Sequence, residues 1–91
     1  MDIEKVAGAL NSKTRRKILK ILSDGAKNTK EISDLLESQY CISLYRESVF
    51  KALERLFEAE LVEKYYEKGR GLVYRLKREK ITIDFVREEV K

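Results

Sequence analysis

Ser43 to Leu61, SLYRESVFKALERLFEAEL, decides how the rest of the chain is read, because these residues fit one long helix with two opposed faces. Val49, Ala52, Leu53 and Leu56 recur at the i, i+3, i+4, i+7 spacing that sets apolar side chains on one side, and Phe50 and Phe57 are read as widening that inward stripe. The opposite line is Glu47, Lys51, Arg55 and Glu58, with Arg46 and Ser48 beside its first turn, and it stays in water. A packed back, a charged front and hydrogen-bonding groups near the N-terminus are what a helix needs to read base edges in the major groove of DNA. An amphipathic surface helix of no special function has the same pattern, so the flanking segments must decide between the two.

Downstream of Leu61 the apolar period changes from about 3.6 to about 2. Val62, Lys64, Tyr66 and Lys68 alternate with Glu63, Tyr65 and Glu67; Gly69-Arg70-Gly71 interrupts; Leu72, Tyr74 and Leu76 then alternate with Val73, Arg75 and Lys77. The pattern is that of a β-hairpin. Its glycines supply the positive φ of a tight connection and hold Arg70 at the tip beside Lys68, where a cation can probe a minor groove or a phosphate, or simply be solvated. The end of the chain, ITIDFVREEVK (81–91), fits two patterns. Ile81, Ile83 and Phe85 match a strand, whereas Ile83, Val86 and Val90 share a helical face; the reading adopted is a helix over about 82–90, capped at Thr82.

Upstream, Asn28 followed three residues later by Glu31 fits a capping box, opening a short helix with Ile32, Leu35 and Leu36 inward that ends near Glu37. The connector ESQYCIS (37–43) leads into the long helix, and the pair forms a helix-turn-helix with an extended turn. Cys41 in that connector is read as a small buried hydrophobe, not a reactive thiol. Before it, a helix from Asn11 or Ser12 to about Ser23 turns Ile18, Leu19, Ile21 and Leu22 inward and stops at Asp24-Gly25. Its basic turns, Lys13, Arg15, Arg16, Lys17 and Lys20, hold no acid, although a helix N-terminus favours negative charge. They serve as a solvated face or as phosphate contacts, Arg15 and Arg16 foremost. Ile3, Val6, Ala7 and Leu10 give a first helix over about 2–10.

A chain of 91 residues makes one small domain, of a size that buries only ~60–65% of its unfolded surface. The apolar faces Ile3/Val6/Leu10 and Ile83/Val86/Val90 are therefore expected to pair with a second copy. Charged residues are 40% of the chain, with one Cys, one Met and no Pro, which resembles the make-up of heat-adapted proteins. The net charge of +4 favours a polyanionic partner. With a single cysteine and no histidine, neither an intrachain disulfide nor the usual zinc sets can form, and no metal or cofactor is expected. No apolar run spans a membrane, nothing in MDIEKVAGAL marks export, and the chain is expected in the cytoplasm. Without a histidine base, a Cys–His pair or a Walker loop, catalysis is the poorest reading.

The order helix, helix, helix-turn-helix, hairpin is that of a winged helix, and the residues carry a likeness as well. LNSKTRRKILKIL (10–22), NTKEISDLL (28–36), SVFKALERLFEAELVEK (48–64) and GLVYRLK (71–77) resemble successive motifs of ArsR-like winged-helix transcription regulators. The resemblance covers most of the chain and implies a mainly α domain with a β-hairpin wing (α+β), occupying 1–91. It further implies a homodimer that binds double-stranded DNA selectively, with a recognition helix at about 44–59, a wing tip at 68–71 and terminal helices forming the dimer. Arg46, Glu47, Ser48, Lys51, Arg55, Lys68, Arg70, Arg15 and Arg16 are the expected DNA contacts. Metal sensors of that family carry paired cysteines in the first helix of the helix-turn-helix, or His/Asp ligands in the terminal helix; EISDLL (31–36) has no Cys, so metal sensing is not implied. The long connector is closer to the PadR-like branch, and the subfamily stays open. The competing reading is a winged helix that binds protein and not DNA.

Overall fold

The structure, a computed structural model, describes residues 1–84 and 86–91. Its helices begin where short polar side chains can satisfy free amides. The Asp2 carboxylate accepts from the Glu4 and Lys5 N–H groups at 2.9 and 3.2 Å and opens α1, Ile3–Leu10. Ser12 Oγ accepts from the Arg15 N–H at 3.3 Å and opens α2, Lys13–Leu22. Asn28 and Glu31 close a full capping box at α3, Thr29–Tyr40, each side chain accepting from the other's backbone, at 2.8 and 2.9 Å. Helix α4, Arg46–Glu58, has no side-chain cap at Tyr45; its first turn is held by the Ser48 and Val49 N–H groups on the Tyr45 carbonyl.

Helix α4 is the centre of the core. Val49, Leu53 and Leu56 are fully buried, and the helix packs on α1, α2 and α3 and on the first long strand. It ends in a Schellman turn: the Glu60 N–H returns to the Phe57 carbonyl at 2.9 Å and the Leu61 N–H to Leu56 at 3.0 Å, with Glu60 left-handed at φ 62. That turn delivers the chain directly into β2, Val62–Glu67, which pairs antiparallel with β3, Gly71–Leu76, from Val62↔Leu76 to Glu67↔Gly71. Gly69, at φ 87, takes a backbone conformation in the connection that a side chain would strain. A short strand not anticipated from the sequence, β1 at Lys27–Asn28, pairs with β3 on its other side, giving the order β1-β3-β2. The wing is thereby joined to the start of α3.

Several expectations are corrected by the packing. The helix expected over about 82–90 is replaced by a small antiparallel hairpin, β4 at Ile83–Asp84 and β5 at Glu89–Val90, closed by reciprocal Thr82–Lys91 backbone bonds of 2.6 and 2.8 Å. The β-branched run Ile81-Thr82-Ile83 disfavours helix, and Asp84 Oδ1 accepts from the Val86 and Arg87 N–H groups at 3.0 and 3.1 Å, an alternative to helical bonding. Phe85, part of the strand alternative, lies outside the described residues. Ile83, Val86 and Val90 consequently share no helical face: Val90 is buried beside α1, while Val86 is 96% exposed. Val6 is also spent on this chain's own core, and Ile3 and Leu10 pack half-buried against it.

Cys41 is exposed, not buried. Helix α3 runs on to Tyr40, beyond the expected end near Glu37, because Tyr40 packs on the core and lies under the Lys17 ammonium at 4.9 Å. Cys41 then takes the left-handed terminating position at φ 54, which leaves the connector to α4 only residues 41–45. Phe50 and Phe57 do not widen the buried stripe; they are 43% and 38% exposed. Phe57 instead lies under the Lys64 ammonium at 4.3 Å, and Phe50 lies toward the start of α3.

Candidate nucleic-acid interface

The polar line of α4 faces outward along its length: Arg46, Glu47, Ser48, Lys51, Arg55 and Glu58 are all exposed. Two shallow clefts flank it. One, of about 550 Å³, lies between Thr29 at the start of α3 and the Arg46, Glu47, Phe50 and Lys51 side chains. The other, of about 410 Å³, opens toward the start of α2, where Ser12, Thr14 and Arg15 face Ser48, Lys51 and Arg55. Lys51 borders both and sits at the middle of the surface.

On the wing and behind it, cations are matched by carboxylates: Lys64 meets Glu54 at 2.9 Å, Arg75 meets Glu63 at 3.2 Å and Lys77 approaches Glu60 at 3.8 Å. Among the described residues, Arg46, Lys51, Arg55 and Lys68 have no carboxylate within 4.0 Å. Such cations have no protein contact to break before they meet a phosphate. Arg15 and Arg55 are close enough that the charge of Arg55, after burial, holds the Arg15 guanidinium below its usual value.

Arg15 and Arg16, expected at the phosphates, are largely engaged inside the chain. Arg15 donates through Nε to the Ala9 carbonyl at 2.7 Å and through Nη2 to Gly8 at 3.0 Å, and Arg16 donates to Leu10 at 2.6 Å. These carbonyls lie in the last turn of α1, so the pair caps that helix and complements its dipole.

Arg70 departs furthest from expectation. It does not extend from the wing tip. Its guanidinium folds back to Glu31 and Glu67, the latter at 3.1 Å, and donates to the Ala26 carbonyl at 3.2 Å. Asn28 Nδ2 donates to the Arg70 carbonyl at 3.3 Å, so the capping box of α3 also holds the wing. The pairing raises the Arg70 guanidinium, through Glu31 first, and lowers the Glu31 carboxyl, through the Asn28 N–H first and Arg70 second. Lys68 is the exposed cation at the tip.

Two residues that line the first cleft are not among the expected contacts. Thr29 follows the Asn28 cap. Phe50 was assigned to the core, although its i−4 and i+4 neighbours, Arg46 and Glu54, are both charged and mark its row as a flank. Among the described residues no group of three or more His, Cys, Asp or Glu side chains converges as metal ligands.

No family model matches the chain, and no curated protein matches it. Solved structures do. That of hsRosR-S4, determined as a complex, is 26% identical, covers 80% of this chain and superposes with a TM-score of 0.70. That of an ArsR-like transcriptional regulator from Rhodococcus sp. RHA1 is 27% identical, covers 82% of this chain and superposes with a TM-score of 0.64. The chain spans 64% of the length of each. Four helices leading into an antiparallel wing give the chain a winged-helix fold, similar to that of an ArsR-like transcriptional regulator.

Proposed function

We propose that the chain is a sequence-selective regulator of transcription that binds double-stranded DNA as a homodimer and works inside the cell. The observation that carries this reading is a set of cations on α4 and at the wing tip that, among the described residues, have no carboxylate partner. Unpaired Arg46, Lys51 and Arg55 lie along the exposed face of α4, and unpaired Lys68 lies at the wing tip, while cations elsewhere on the wing are neutralised. Helix α4 would enter the major groove, and the tip would reach the backbone or minor groove. Cations on both elements would meet phosphates, and each neutralised phosphate releases counterions. Arg46, Ser48 and Glu47, in the first turn, are the side chains with the reach and chemistry for base edges: guanine for Arg, either edge for Ser, the cytosine amino group for Glu. The likeness to a protein described as a transcriptional regulator supports the same reading. Among the described residues no helix is long and apolar enough to cross a membrane. With Val6 and Val90 internal, Ile83 and Val86 are what the two expected terminal faces still expose for a dimer contact, beside the edges of Ile3 and Leu10.

Selection of bound duplexes from a random pool tests the proposal. A consensus should emerge, and alanine at Arg46, Glu47 or Ser48 should erase preference for it at one position while leaving most affinity for mixed DNA. A folded protein that enriches no sequence, and whose variants bind every duplex as the wild type does, would instead fit a module for protein partners. Light scattering at micromolar concentration should report twice the chain mass; a folded monomer would remove the dimer.

A further inference from the structure

We infer that Phe50 is a specificity-determining residue whose ring contacts the 5-methyl group of thymine in the major groove. The inference deepens the DNA-binding reading and rests on it. Phe50 is 43% exposed, whereas Val49 and Leu53 on the same helix are fully buried. It lies in the first half of α4, in the cleft bordered by Thr29, Arg46, Glu47 and Lys51. Phe57 is exposed to a similar degree, but the Lys64 ammonium covers its ring at 4.3 Å; among the described residues no cation lies over the ring of Phe50. An exposed aromatic ring set among Arg46, Glu47 and Lys51 calls for an apolar occupant.

The surroundings specify which occupant. Arg46 and Lys51 flank the ring without carboxylate partners, so an approaching surface that carries negative charge on both sides of an apolar group is favoured. In the major groove of DNA the phosphates supply that charge, and the thymine methyl is the apolar group displayed between them. Glu47, beside Phe50 in the cleft, is repelled by phosphate and therefore aims at base amino groups along the same edge. The apolar side chain of a protein partner would fill the cleft without using the flanking cations.

The test uses the duplex that the intact protein selects and the same duplex synthesised with deoxyuridine for every thymidine, compared by fluorescence anisotropy. A mixed-sequence duplex with the same replacement serves as control. Wild-type protein should bind the uracil duplex more weakly, by about fourfold for each methyl contacted, and should treat the two control duplexes alike. Phe50→Ala should bind the thymine and uracil forms equally. Phe50→Leu should keep part of the preference. Because the ring is outside the core, circular dichroism should report native helix in both variants. Selective binding with thymine and uracil equivalent overturns the contact and leaves DNA recognition standing. A thymine preference that survives in Phe50→Ala assigns the methyl to another residue and overturns the role of Phe50. Binding to no duplex removes both readings.

Discussion

Asn28 joins two parts of the molecule, and replacing it in two ways separates them. Its Oδ1 accepts from the Glu31 N–H at 2.8 Å, capping α3, while its Nδ2 donates to the Arg70 carbonyl at 3.3 Å, holding the wing. Asn28→Ala removes both bonds. Loss of an N-cap costs ~1 kcal/mol, and the second bond adds roughly 0.5–1 kcal/mol. In a domain of this size each kcal/mol is worth about 4–8 °C, so the melting temperature should fall by roughly 6–15 °C. Asn28→Asp keeps the acceptor, and its charge suits a helix N-terminus, but it cannot donate to Arg70. It should melt between the other two. Thermal unfolding by circular dichroism ranks the three proteins, and amide exchange at Arg70 and Gly71 reports the wing. In Asn28→Asp those amides should exchange faster while those of α3 keep their protection. Melting of Asn28→Ala within about 2 °C of wild type would refute the junction as a source of stability.

Two further perturbations follow from buried or paired groups. Burial, and then the charge of Glu54, push the Tyr74 hydroxyl from 10.0 up to about 12, and among the described residues it has no hydrogen-bond partner. Tyr74→Phe should therefore gain about 1 kcal/mol in urea unfolding at neutral pH. Since the folded value lies above the unfolded one, the advantage of the variant should widen as pH rises from 10.0 to about 12; destabilisation would refute it. The Glu31 carboxyl is held below 4.5 in the fold, so its contribution is complete above that value and lost as pH falls through the folded one. Wild type should lose more stability than Glu31→Gln on acidification from about pH 6 to about pH 3, and parallel curves would contradict the pairing.

What could be read in advance was local. Caps announce themselves within three residues, as Asn28 and Glu31 do, and the change of apolar period at Leu61 marks the passage from helix to wing. The inner stripe of α4 was legible because Val49, Ala52, Leu53 and Leu56 obey one spacing. Contacts distant in the chain were not. Arg70 looked free at its turn because nothing nearby shows that Glu31, 39 residues earlier, meets it. Phe50 looked internal because hydrophobicity alone does not separate a core flank from a binding flank. The terminal segment was misread because Val86 and Val90 satisfy helical spacing, while Asp84 bonds its own following amides and turns the chain into a hairpin.

The most direct measurement of the central claim is the salt dependence of binding by folded wild-type protein to a mixed-sequence duplex, followed by fluorescence anisotropy. Affinity should fall linearly with salt on logarithmic axes, with a slope of about 0.9 per neutralised phosphate. Lys51→Ala and Lys68→Ala should each reduce that slope by about one per protomer, while Arg70→Ala, already held by Glu31 and Glu67, should reduce it less. A folded protein that leaves the duplex unbound at low salt, or whose slope is indifferent to Lys51 and Lys68, would contradict the assignment of this face to DNA.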